Sequence, residues 1–282
     1  MVERIDAHHH FWRYSEAEYG WIGQDMEQLR RDFLATDLEP EIAAADVQGV
    51  LTVQARQTIE ETNWLLSLAE QSSFVRGVIG WAPIASPEFP SLLGSLVENR
   101  KLKGLRHVLQ DEPDETYMLQ PCFQRGISAL KGTGLVYDIL IYERQLPTAL
   151  LLVDSHPEQI FVLDHLGKPK IRYREFSPWR DGLQELGARP NVYCKLSGMA
   201  TEADWTSWTT DDLRPYFDVA LECFGADRLL AGSDWPVCTV ATSYQRWWRT
   251  VRELVSALSP DEQNGILGRN AKSVYKLEGE MK

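Results

Sequence analysis

The chain has 282 residues, 44% of them hydrophobic, which is enough to bury one large core and suggests a single domain over 1–282. With 29 basic against 41 acidic residues and a net charge of −12, it has no Lys/Arg cluster to offset repulsion, which excludes a nucleic-acid partner. No stretch approaches the roughly 20 apolar residues of a membrane span, and the opening MVERIDAHHHFW has no signal-like apolar run, so no membrane partner and a cytoplasmic location are expected. Cys122, Cys194, Cys223 and Cys238 are widely spaced with no CxxC pair, which reads as reduced thiols.

Eight short β-rich runs follow one another at 2–7, 49–54, 75–81, 103–108, 134–140, 160–165, 191–197 and 228–234. Between them lie segments of helical spacing. In 58–71, Leu65, Leu66, Leu68 and Ala69 form one apolar stripe. The segment 210–224 has Thr210 as its N-cap, acidic residues in its first turn and Gly225 just past its end. Strand starts recur at about 25 to 50 residues, the length of one βα unit, and such crossovers force parallel strands. Eight in series predict an α/β fold of the closed TIM (β/α)8 barrel type. An open doubly wound sheet is the alternative, and no GxGxxG follows an early strand to support it. The longest intervals follow the first run, with Trp12, Tyr14, Tyr19 and Trp21, and the seventh, with Trp205 and Trp208; both are expected as loops or lids over the mouth. Ten Trp and ten Tyr exceed what the core needs, so some are expected to line a pocket for a ring-shaped ligand.

In such a barrel the chemistry sits where strands end. The first run ends in Asp6-Ala7-His8-His9-His10, and alternation along an extended chain points His8 and His10 to one side and His9 away. The sixth run ends at His165 and the eighth at Asp234. Three imidazoles and a carboxylate suit zinc or a related divalent ion, with His8, His10 and Asp234 as candidate ligands. Arg106, His107, Lys168 and Lys195 are candidates for holding substrate hydroxyls or a carboxylate. Gln54, Trp81, Tyr137, Asp138, Trp12 and Trp235 are candidates for contacting hydroxyls or stacking on a ring.

DAHHHFW (6–12), GLRHVLQDEPD (104–114), LDHLGKP (163–169), KLSGM (195–199), GSDWP (232–236) and LGRNAKSVYKL (267–277) together resemble the amidohydrolase superfamily, in its sugar-lactonase branch related to L-fuconolactonase, L-rhamnonolactonase and 2-pyrone-4,6-dicarboxylate lactonase. The resemblance covers essentially the whole chain. It implies a distorted TIM barrel in which Asp234 is general base toward the hydrolytic water. The fourth run carries Arg106 and His107 where the broader superfamily has a bridging lysine, which speaks against a carbamylated-lysine binuclear site.

The resemblance permits one divalent metal ion, zinc first, without requiring it, so His8, His10 and His165 are either metal ligands or direct polarising groups. Asp234, once protonated, is a candidate to return its proton to the leaving oxygen. The expected reaction is opening of an aldonolactone, such as L-fuconolactone or L-rhamnonolactone, to the aldonic acid. Two alternatives remain at this stage: a metal-dependent decarboxylase of the aminocarboxymuconate or resorcylate type, and a catalytically silent barrel that binds a partner. Oligomeric state is not readable from the chain.

Overall fold

Each of the eight β-rich runs becomes a strand: β1 (Ile5–His9), β2 (Gly49–Val53), β3 (Val75–Gly80), β4 (Leu102–Val108), β5 (Val136–Leu140), β6 (Phe161–Leu163), β7 (Val192–Leu196) and β8 (Leu229–Ala231). The structure is a computed structural model that describes residues 3–277; Val2, at the head of the first predicted run, lies outside them. All seven neighbouring pairs are parallel, in the order β1 to β8.

The sheet closes between β1 and the residues just past β8. Asp234 N–H donates to the His8 carbonyl at 2.7 Å, and His10 N–H donates to the Trp235 carbonyl at 2.6 Å. This is the TIM barrel that the eight-fold βα pattern predicts, distorted where its first and last strands meet. The helices are α1 (Ala35–Ala45), α2 (Ile59–Gln71), α3 (Phe89–Leu96), α4 (Pro121–Ala129), α5 (Leu146–Ser155), α6 (Trp179–Gly187), α7 (Met199–Glu202), α8 (Thr210–Phe224), α9 (Tyr244–Leu254), α10 (Pro260–Asn264) and α11 (Asn270–Val274).

Two apolar layers hold the barrel. The inner one stacks Ile5, Ala7, Leu51, Val53, Ile79, Val136, Val162 and Leu230, and α11 with the residues after it closes one end through Val274, Tyr275 and Leu277. The outer layer lies between strands and helices and takes most of the aromatic residues. Trp12, Trp179, Trp208, Trp235, Trp247 and Trp248 are all buried, so packing rather than a ligand pocket accounts for most of the tryptophans.

The helices follow their predicted faces with two local corrections. In α2 the stripe buries Leu65, Leu66 and Ala69 together with Glu61 and Thr62, while Leu68 lies at its edge, half-buried. In α8 the N-cap is Thr209, not Thr210. Thr209 has extended backbone angles, and the Asp212 carboxylate accepts from its backbone N–H at 3.0 Å.

Candidate active site

The register of β1 against β2 slips by one residue between Asp6 and His9, a β-bulge. The bulge turns Ala7 and His8 both inward. Asp6 faces out, where its carboxylate meets the hydroxyl of Tyr244 on α9, and His9 faces out, where its Nε2 meets the Thr52 hydroxyl at 2.8 Å. His10 turns inward again. The other two members come from chain beyond the strands: β6 stops at Leu163 and β8 at Ala231, and both His165 (φ 53°) and Asp234 (φ 60°) have left-handed backbone. Left-handed geometry at a non-glycine residue costs of order 1–3 kcal/mol and persists only where surrounding contacts enforce it.

These four side chains meet. Asp234 Oδ1 lies 3.3 Å from His10 Nε2, 3.7 Å from His8 Nε2 and 4.0 Å from His165 Nε2. The two Nε2 atoms of His8 and His10 are 3.2 Å apart. Each ring is held from behind: His10 Nδ1 donates to the Val53 carbonyl at 2.8 Å, and His165 Nδ1 is 2.8 Å from the Ser197 hydroxyl. All four residues are buried. The donor atoms of His8, His10 and Asp234 lie within 4.8 Å of one another, a set of two imidazoles and one carboxylate able to hold a metal ion.

Burial sets the protonation states. It pushes His8 well below the ordinary histidine range and His165 down to about 4, although nearby carboxylates pull the other way, so both rings are neutral at pH 7. Burial alone would raise the pKa of Asp234, but His165, His10 and Lys168 outweigh it and hold this carboxyl below its ordinary value. The site therefore pairs an ionised carboxylate with neutral imidazoles.

A family model for amidohydrolases matches residues 5–277. The chain belongs to the amidohydrolase family. A crystal structure of an amidohydrolase from Burkholderia multivorans with bound zinc, 40% identical, superposes with a TM-score of 0.92, covering 98% of this chain and 100% of that one. An L-fucono-1,5-lactonase from Burkholderia multivorans is 40% identical over 97% of this chain and 96% of its own length. Another, from Burkholderia ambifaria, is 37% identical over 99% and 97%.

Several residues expected to contact a substrate are placed elsewhere in this amidohydrolase. Tyr137 is fully buried and points from β5 toward the helices, between Phe123 and Phe161. Trp12 packs on Tyr19 and Phe33 with its indole N–H on the Arg31 carbonyl, and Trp235 packs on Phe11 and Phe33. His107 alternates outward from Arg106 and stacks on Tyr117, its Nε2 2.6 Å from Glu112. Gln54 is fully buried, its amide 3.4 Å from the Arg106 carbonyl. Lys195 and Asp138 pair with each other beneath His8, both side chains at 0% exposure. These seven residues reach packing, hydrogen-bond or ion-pair partners within the protein. Arg106 is buried against Asp164 and His8, while Trp81 and Lys168 stay partly exposed. The long loop after β7 is fastened by Trp208, which donates to the Ala241 carbonyl, and by Trp205, which donates to that of Thr201; in the loop after β1, Trp12 is tied to Arg31 while Trp21 is exposed.

Asp164 and Asp6 were not singled out from the sequence. Asp164 lies 3.3 Å from His8 Nδ1 and 2.9 Å from Arg106, and Lys195 and His8 hold it well below the ordinary carboxylate range despite its burial. Its position immediately before His165 was the available signal, but only the fold shows that the donor atoms of Asp164, His165 and His8 lie within 4.8 Å of one another.

Proposed function

We propose that this amidohydrolase opens the ring of a small sugar lactone of the L-fuconolactone or L-rhamnonolactone type to its aldonic acid. The observation that carries the reading is the placement of Asp234 Oδ1 within 3.3 to 4.0 Å of three imidazole nitrogens. Similarity to two L-fucono-1,5-lactonases along nearly the full chain supports the same substrate class.

Asp234, ionised at neutral pH, takes a proton from water as the water oxygen bonds to the lactone carbonyl carbon. Negative charge gathers on the carbonyl oxygen, where the buried His8, His10 and His165 supply polar contact. As the bond to the ring oxygen breaks, protonated Asp234 returns its proton to that oxygen and regenerates the carboxylate. Lys168, whose charge is felt at both Asp234 and His165, and the half-buried Trp81 are the groups we assign to holding the sugar. His8, His10 and Asp234 have the nitrogen and oxygen donors zinc prefers, and zinc held there would add Lewis-acid polarisation of the carbonyl.

The test is a panel of aldonolactones with a pH indicator, run with and without zinc, on the parent and on Asp234→Asn. Acid release by the parent should fall about 10²- to 10⁴-fold in the variant. A folded Asp234→Asn protein that opens lactones at the parental rate overturns the reading. So does a parent that turns over none of them.

A further inference from the structure

Beneath the three imidazoles lies a closed set of buried charges. Lys195 Nζ is 2.5 Å from Asp138 Oδ2, 3.0 Å from Asp164 Oδ1 and 3.2 Å from His8 Nδ1. Asp164 Oδ2 accepts from Arg106 Nη1 at 2.9 Å, and Asp138 Oδ1 accepts from the Tyr275 hydroxyl at 2.8 Å. Two cations balance two anions.

His8 Nδ1 therefore faces two incompatible partners. The Lys195 ammonium can only donate and lies at 3.2 Å; the Asp164 carboxylate can only accept and lies at 3.3 Å. One proton decides between them. The Val53 carbonyl can only accept, so a neutral His10 carries its proton on Nδ1 and a lone pair on Nε2, which is 3.2 Å from His8 Nε2. With the His8 proton on Nε2, an unbroken chain of donors runs from Lys195 through His8 and His10 to Val53. With the proton on Nδ1, His8 donates to Asp164, and two Nε2 lone pairs face each other. That arrangement is stable when both nitrogens ligate one cation, and a metal-bound histidine normally gives its other N–H to a carboxylate or carbonyl. Arg106 Nη1 carries two hydrogens and so can donate both to Asp164 Oδ2 at 2.9 Å and to a His8 Nε2 lone pair at 3.3 Å, which sets Arg106 beside Asp164 in favour of the Nδ1–H tautomer and against Lys195.

We propose that Lys195 is a positioning residue that holds His8 as the Nε2–H tautomer and thereby weakens divalent-cation binding by His8, His10 and Asp234, while Asp164 favours the tautomer that ligates. The switch moves one proton between the two nitrogens of one ring at constant charge. It rests on the metal-ligand reading of these three residues and not on the lactone as substrate.

The double variant Lys195→Met/Asp138→Asn removes one cation and one anion together, and the asparagine oxygen still accepts from Tyr275. Calorimetric titration of the metal-free proteins with Zn²⁺ should give a Kd at least about tenfold lower for the double variant than for the parent. Equal affinities, a weaker variant, or no binding by either protein overturns the proposal. Should the variant fail to fold by near-ultraviolet circular dichroism, ¹⁵N imidazole spectra of the parent decide. Metal-free His8 must carry its proton on Nε2 and shift it to Nδ1 on zinc addition; an Nδ1–H ring in the metal-free protein refutes the switch. Lactone turnover, measured on the same samples, reports separately on the substrate assignment.

Discussion

Asp6 Oδ1 accepts a hydrogen bond from the backbone N–H of Ser233 at 2.8 Å. The same oxygen takes the His8 N–H at 3.1 Å, and Oδ2 takes the Tyr244 hydroxyl at 3.0 Å. One buried carboxylate thus clasps the strand that carries His8 and His10 to the loop that carries Asp234. Asp6→Ala leaves two backbone N–H groups without an acceptor, at about 1–3 kcal/mol each. We expect a loss of about 3 kcal/mol or more in urea unfolding, with kcat falling further than KM rises, because Asp234 loses alignment with the imidazoles. Asp6→Asn, which keeps an acceptor, should lose less. A urea midpoint for Asp6→Ala equal to the parent's would refute the clasp.

The pH dependence of turnover follows from the inverted environments of base and imidazoles. Asp234 is held below its ordinary value, so its active anionic form persists as pH falls and is lost only under strongly acidic conditions. His165, pushed down to about 4 by burial, stays neutral above that pH. Lactone kcat/KM, corrected for spontaneous hydrolysis, should be level from about pH 5.5 to 8. A step near 6.5, the ordinary histidine value, would show that an imidazole titrates in the working range.

Glu61 offers a test of stability remote from the cluster. It is fully buried, accepting from the backbone N–H groups of Ala55 and Arg56 and from Tyr19, and burial pushes it from 4.5 up to about 7 even though those N–H groups pull it down. Because its folded value is raised, the native state binds the extra proton between pH 4.5 and 7, and the stability tied to that proton is lost as pH rises through this window. Relative to Glu61→Gln, the parent should lose on the order of 3 kcal/mol across it and nothing further above it. Urea midpoints of the two proteins at several pH values check this. A constant gap between them would mean that Glu61 does not titrate there.

Gly198 has φ 67°, and a Cβ on it would stand 2.7 Å from His165 Nδ1. Gly198→Ala must therefore displace the ring or break its contact with Ser197. The expected result is a fall in kcat of about 100-fold, as for a misplaced catalytic group, with a stability cost of about 1–3 kcal/mol from the left-handed backbone. Full activity in this variant would mean that the orientation of His165 is immaterial.

The barrel was legible because each βα unit carries its own hydrophobic period and turn residues, which need no knowledge of distant chain. His8 and His10 were legible for the same reason, since alternation places them on one side whatever the rest of the fold does. Their partners were not. Lys195 and Asp138 read from the sequence as strand-end residues suited to a substrate, but they lie inside β7 and β5, where the barrel makes them a buried pair. Tyr137 and His107 looked equally suitable, but alternation about Asp138 and Arg106 sends both outward.

What the amino-acid order determined alone was the repeat, the parallel barrel and the convergence of His8 with His10, because these follow from spacing within a few residues. Tertiary structure decided the bulge that turns Asp6 outward, the left-handed backbone at His165 and Asp234, and the charge set under His8. Each depends on contacts between residues such as His8 and Lys195, 187 positions apart. Local propensity opposes left-handed backbone and buried charge, and both persist only where the closed barrel supplies the partners.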